Sequence, residues 1–150
     1  MSITIRRANA NDSRAIADFN ISMALETEGK QLDPATINSG VANMIANPNR
    51  GFYLVAEDAG VVVGSLMVTT EWSDWRNGLF WWIQSVFIVE AYRRRGIYSR
   101  LYETVKTMAA EADNICGYRL YVEKDNRTAQ LTYEKLGMMA TDYLLYEEEV

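Results

Sequence analysis

Three arginines and a glycine, Arg93-Arg94-Arg95-Gly96, stand between an apolar run and a segment with helical spacing. The run Val86-Phe87-Ile88-Val89 is apolar at successive positions, as a strand covered on both faces would be. Behind the glycine, Ile97, Leu101, Val105, Met108 and Ala112 recur at the spacing of one helix face. A strand, a glycine turn and a helix start in that order can hold an anion. The first N–H groups of a helix have no partner within it, its dipole adds partial positive charge, and glycine lets a phosphate approach the backbone. The arginines add full charges beside it. A basic run after a strand can also be only a solvated loop. The arginines abut both the glycine and the helix start, which favours the anion site.

Other groups could move protons. The carboxylates that stand at element ends are Glu26, Glu28, Glu71 and Glu123, and each is also readable as a solvated charge. Glu71 comes first because it adjoins an aromatic loop. Gln84 is polar within an apolar strand and could orient a water without taking a proton. Asn126 reads as a helix cap. Tyr133 shares a helix face with Ala129 and Leu136 and could simply pack there. Trp81 and Trp82 read as strand residues on opposite faces. Trp72 and Trp75 flank a polar turn. They would either wall a site for a cationic amine or form a contact between two copies in a homodimer. Cys116 is expected to be buried and inert.

The elements that must position these groups follow from the pattern. Residues 3–7 alternate as a strand. Asn11 or Asp12 can cap a helix carrying Ile16, Phe19 and Met23, and Gly29 ends it. Asp33-Pro34 starts a second helix, with Ile37, Val41, Met44 and Ile45 inward. Strands are expected at residues 52–57, 61–70 and 79–89, with Gly64 marking a bulge and residues 71–78 forming a connection. A helix to Ala112, a strand at 118–123 and a helix from Asn126 to Leu136 follow. Gly137 supplies the stop, and residues 138–148 are expected to hold one or two final strands. The order β-α-α-β-β-β-α-β-α-β implies an α/β (α+β) fold, with a mixed sheet and helices on both faces. The central strands must separate somewhere to leave a cleft.

Bulk properties narrow the class. The chain has 150 residues, 49% apolar and 23% charged, which suits one globular domain over residues 1–150. A net charge of −5 disfavours nucleic acid and anionic membranes and suits a cationic amine partner. Histidine is absent and cysteine occurs once, which removes His-ligated metal sites and intrachain disulfides. No metal is expected. The first residues lack the apolar core of a signal peptide, so a cytoplasmic location is the expectation.

Two segments resemble one family. Arg93-Arg94-Arg95-Gly96-Ile97-Tyr98 is similar to the Q/R-x-x-G-x-G/A signature of the GNAT superfamily of N-acetyltransferases, with Tyr98 where Gly or Ala is usual. Asn126 to Met138 resembles the family's N-x-x-A-x-x-x-Y-x-x-x-G-F segment, with Met138 in place of Phe. The resemblance implies a mostly antiparallel sheet with a V-shaped splay between the strands that precede the third and fourth helices. It implies that Arg93, Arg94, Arg95, Gly96, Ile97, Tyr98 and Ser99 hold the pyrophosphate of acetyl-CoA, with Asn126 in the second segment. Phe87 and Ile88 would pair through their backbone with the pantetheine amides, as an added strand does. Tyr133 would protonate the leaving thiolate, and Glu71 is the first candidate for the base. The implied activity is direct acetyl transfer to a small-molecule or peptide amine. A non-catalytic acyl-CoA sensor would use the same loop and cleft. A helix-turn-helix DNA binder is disfavoured by the negative charge.

Overall fold

The computed structural model describes residues 1–150. They form two compact units, Met1–Leu120 and Tyr121–Val150. The first contains β1 (Ile3–Arg7), α1 (Ser13–Glu28), α2 (Pro34–Ala46), β2 (Gly51–Asp58), β3 (Val61–Ser73), β4 (Gly78–Ile88), α3 (Ile97–Glu111) and β5 (Ile115–Arg119). The second contains α4 (Arg127–Lys135). The strands make one sheet in the order β1-β2-β3-β4-β5, antiparallel except for the parallel β4–β5 pair. This is the mixed sheet expected from the element order, and it is mostly antiparallel, as the family resemblance implies.

The early helices start where polar side chains can satisfy the first amides. Asn9 caps a short 3-10 turn (Ala10–Asp12), accepting from Asn11 N at 2.9 Å, and α1 continues from it. Asp12 stands at the N-cap position of α1, as expected, but its side chain makes no cap bond to that helix. The Asp12 carboxylate instead reaches back to Asn9 N at 2.7 Å and binds Arg6 at 2.8 and 2.9 Å. At α2 the expected cap holds: Asp33 accepts from Thr36 N at 3.0 Å ahead of Pro34. Gly29, at φ +63°, closes α1 with a left-handed residue.

Alternation along the strands builds two cores. Tyr53, Val55 and Met67 pack against Ile16, Ala17, Val41 and Met44 of α1 and α2. Leu54, Ala56, Leu66 and Val68 are buried and point to the other face. The remaining helix of this unit, α3, packs on β1 and β2, with Ile97, Leu101, Val105 and Ala109 buried. Ala109 takes the place expected for Met108, and the helix ends at Glu111 with Ala112 as its C-cap, as expected.

Other expectations shift. β3 and β4 extend until only residues 74–77 join them, so Trp72 lies in a strand and Trp75 at an exposed hairpin tip. The β2–β3 register slips beside Gly64, where a β-carbon would lie 2.8 Å from Ile88 Cδ1 and 3.1 Å from Phe87 O. Glycine there lets β3 approach β4 closely. β5 begins three residues before the expected Tyr118, and Cys116 within it is exposed rather than buried. In the second unit, Gly137 follows α4 at φ +97°, but residues 138–150 hold no strand. An alternating pattern becomes a strand only where a ladder partner is present, and these residues have none.

Arg6 holds the Asp12 carboxyl below the usual carboxylate range, chiefly through their direct hydrogen bonds. Stabilisation from that depressed value is present above the ordinary aspartate range and is lost as pH falls through the lower folded-state value. Asp12→Asn should cost about 1–3 kcal/mol near neutral pH, read from urea unfolding. The gap between wild type and variant should close in acid. A gap that stays constant into acid contradicts the assignment.

Candidate active site

β4 loses one neighbour halfway along. β5 pairs with it only from Leu79 opposite Ile115 to Trp82 opposite Arg119. Over residues 83–88, β4 continues beside β3 alone. Phe80, Trp81 and Ile83 are buried, whereas Gln84, Val86, Phe87 and Ile88 are half-buried. Ser65 lies opposite Phe87 and Met67 opposite Gln84, so Leu66 faces two residues, Ser85 and Val86. This bulge puts Ser85 at φ +51°, the left-handed region that non-glycine residues seldom occupy. A bulge bends its strand. Here it lies just beyond the last β4–β5 pair, where β5 itself ends at Arg119.

Alternation decides which backbone groups face the gap. Val89 N donates to Val63 O at 2.9 Å, so Phe87, two residues earlier, also turns its N–H and C=O toward β3. Ile88 turns the other way, and its carbonyl accepts from Arg93 Nε at 2.8 Å. Of the two residues expected to pair with a pantetheine arm, Ile88 has its backbone on the open side. Phe87 contributes its ring, stacked 5.2 Å from Phe19 of α1.

The arginine loop follows directly. Arg94 has φ +62° and Gly96 φ +77°, separated by Arg95. Left-handed residues so close together curl successive amides toward one side, which suits an anion. α3 begins at Ile97 with no side-chain cap, and Arg100 N is bonded to Gly96 O at 3.1 Å. The N–H groups at the start of the helix point out of its end.

Two ties hold this loop. The Tyr92 hydroxyl donates to Asp58 Oδ2 at 2.8 Å, and Ser2 N together with Tyr92 holds the Asp58 carboxyl below its usual range. Arg93 pairs with Glu26 of α1 at 3.0 Å and lies 5.2 Å from the Phe87 ring. Arg95 lies over the Tyr92 ring at 5.5 Å. Arg93 is therefore a strut between β4 and α1, whereas Arg94 is exposed with no carboxylate partner. The amides around Gly96 and the Arg94 guanidinium fit a diphosphate. The Ile88 edge fits an amide-bearing arm.

The expected proton acceptors are mostly engaged. Glu71 accepts from Trp82 Nε1 at 2.9 Å and from Arg119 at 2.8 Å. The Trp82 bond first, and Arg119 second, hold its pKa below the ordinary carboxylate value, which weakens it as a base. It lies opposite Phe80, at the end where β5 is still paired, about 20 Å along the strand from Phe87. The structure does not bring Glu71 to the arginine loop. Glu26 is taken by Arg93, and Glu28 pairs with Lys30 at 3.4 Å. Gln84 donates to Thr69 Oγ1 at 2.6 Å.

The second unit carries the other three candidates. Asn126 caps α4, accepting from Ala129 N at 3.2 Å. Burial pushes the Tyr133 phenol above its ordinary pKa, so it keeps its proton at neutral pH. Glu123 accepts from Asp125 N at 3.1 Å.

A cavity of about 400 Å³ lies between the two early helices and the sheet, and Ser85 of the bulge lines it. The signal for it is Asn20, a buried amide in the otherwise apolar stripe Ile16, Asn20, Ala24.

The model of the acetyltransferase (GNAT) family matches residues 17–138. A crystal structure described as a possible acetyltransferase from Clostridium difficile 630 is 46% identical, with TM-score 0.92. That match covers 100% of this chain and 99% of the other. A predicted acetyltransferase with acetyl-CoA from Clostridium acetobutylicum is 19% identical, with TM-score 0.79, over 98% of this chain and 96% of its own. A ribosomal-protein-alanine N-acetyltransferase from Brucella melitensis biovar Abortus 2308 is 15% identical, with TM-score 0.79, over 99% of both chains. At these identities the last two show a shared fold. No curated protein matches the chain.

Because Arg93 ties Ile88 to Glu26, Arg93→Ala should loosen both ends together. Amide hydrogen exchange should quicken in residues 93–99 and in the last turn of α1. Unchanged exchange at both places would show that the tie is idle.

Proposed function

The chain belongs to the acetyltransferase (GNAT) family, and from that premise we propose that it moves an acetyl group from acetyl-CoA directly to a primary amine within a ternary complex. The observation that carries this reading is the end of β5 partway along β4, ahead of the arginine loop. It leaves one free strand edge and one cluster of amides within a single stretch of chain.

Acetyl-CoA supplies the activated acyl group, and the residues of this chain bind, aim and manage protons. Amides near Gly96, with Arg94, take the diphosphate. Arg95, Ile97, Tyr98 and Ser99 shape that cradle, and Arg93 holds it against β4. The Ile88 backbone pairs with the amide-bearing arm, which directs the thioester along the open half of β4. A neighbouring β4 amide stabilises the carbonyl oxygen as negative charge develops there. Tyr133 donates the proton that the departing thiolate needs, and Asn126 caps the helix that carries it. A phenol suits that task without tuning, because its pKa lies near 10 and that of a thiol near 8.5.

The amine arrives protonated and gives its proton to water. Glu71, ionised and held by Arg119 and Trp82, orders the acceptor end of the sheet instead of taking that proton. The acceptor is a small-molecule or peptide amine.

Assay of N-acetyl product from acetyl-CoA and an amine panel tests the proposal. Tyr133→Phe should lower kcat by roughly a hundredfold with little change in acetyl-CoA affinity. Because burial raises the Tyr133 pKa, activity should not fall through its ionisation until the solution passes its ordinary value near 10. Full activity in Tyr133→Phe would remove it from the mechanism. Acetyl-CoA binding without product from any amine would favour the sensor reading.

A further inference from the structure

We infer that the cavity beneath α2 selects an amine that also carries a carboxylate, with Arg50 as the group that receives it. This rests on the acetyltransferase reading and names its acceptor class. The cavity measures about 400 Å³, within the range of small-ligand sites. Its polar lining comes from Asn20, Asn43, Arg50, Tyr53, Thr69 and Ser85. Ile37, Val41, Met44 and Met67 are among its apolar lining.

Two of these polar side chains are more than nine-tenths buried. Tyr53 and Asn20 are each 6% exposed. The Tyr53 hydroxyl makes no hydrogen bond within the chain. Asn20 spends Nδ2 on Ile16 O at 3.0 Å, which leaves its Oδ1 without a donor. The Tyr53 hydroxyl and Asn20 Oδ1 are not sealed from solvent, so both can bond to a polar occupant of the cavity their residues line. Thr69 Oγ1 already accepts from Gln84, and its own O–H remains to be donated.

The charge of the lining is one-sided. No aspartate or glutamate lines the cavity, and Arg50 is its only charged residue. Arg50 donates to Asn43 O at 3.3 Å and has no carboxylate partner. Glu71 lies nearby in the register, because Gly51, the residue after Arg50, pairs with Thr69. Glu71 is committed to Arg119 and Trp82, which leaves the guanidinium available. Ser85 lines the same cavity and belongs to the bulge just beyond the last β4–β5 pair. A carboxylate on Arg50 therefore directs the amine of the same molecule toward the thioester. The ammonium gives one proton to solvent, its nitrogen bonds to the acetyl carbon, the C–S bond breaks, and a second proton goes to the thiolate. The products are the N-acetyl carboxylate and free CoA. This acceptor differs from the purely cationic amine that the net charge suggests.

The test uses amines in matched pairs with and without the carboxylate: γ-aminobutyrate and propylamine, L-phenylalanine and phenethylamine, with spermidine as a polycation. N-acetyl product is read by mass spectrometry, since the exposed Cys116 would disturb a thiol reagent. The carboxylate member of at least one pair should show a tenfold or higher kcat/KM. Arg50→Gln, a surface change, and Tyr53→Phe, which keeps the ring, should each bring that ratio toward one by raising KM. The inference is overturned if neither carboxylate member is preferred over its partner, or if spermidine is used better than both carboxylates. It is also overturned if the preference survives Arg50→Gln, or if protein that binds acetyl-CoA acetylates none of the panel. Failure to bind acetyl-CoA at all would instead overturn the acetyltransferase reading.

Discussion

From Ile83 onward, β4 has a backbone partner on one side only, in a strand that lies mid-sheet. A backbone polar group left without a partner away from water is costly, so such an edge must be covered, solvated or reserved for something that adds to it. Here the edge is half-buried and turned by a bulge, and one of its carbonyls is already covered by Arg93. The chain then turns directly into a loop of left-handed residues and an uncapped helix start. A strand edge and an anion cradle thus follow one another in sequence. A ligand with amides at one end and a diphosphate at the other can span both.

The electrostatics divide into struts and free charges. Arg6 with Asp12, Arg93 with Glu26, and Arg119 with Glu71 each join segments that lie apart in the chain or fix a turn beside the sheet. Tyr92 with Asp58 does the same with a neutral donor. Arg94, exposed in the loop, and Arg50, which lines the cavity, are not among the cations so paired. An overall charge of −5 therefore says little about the potential a ligand meets inside the site.

Much of this was legible in the sequence. The spacing of Ile97, Leu101 and Val105 placed α3, Asp33-Pro34 and Gly29 marked helix ends, and Arg93 to Ser99 marked the loop, because each feature is local. What escaped depends on partners far away in sequence. Ser85 looks like an ordinary strand residue, and its left-handed conformation arises from a register fixed across two strands. The engagement of Glu71 needs Trp82 and Arg119, neither of them a sequence neighbour. The alternating residues after Gly137 suggested strands, but a strand exists only with a ladder, and local pattern does not supply one. The role of Phe87 was split for the same reason: the parity of one distant bond, Val89 to Val63, turns its backbone away from the gap.

Residue-resolved amide exchange, with and without CoA, bears most directly on the open half of β4 and the loop that follows it. CoA should slow exchange at Ile88 and at the amides around Gly96, while Phe87, already paired with β3, should hardly change. Exchange that stays the same at Ile88 and in the loop, at a CoA concentration that saturates the protein, would contradict the reading of that edge as the binding site.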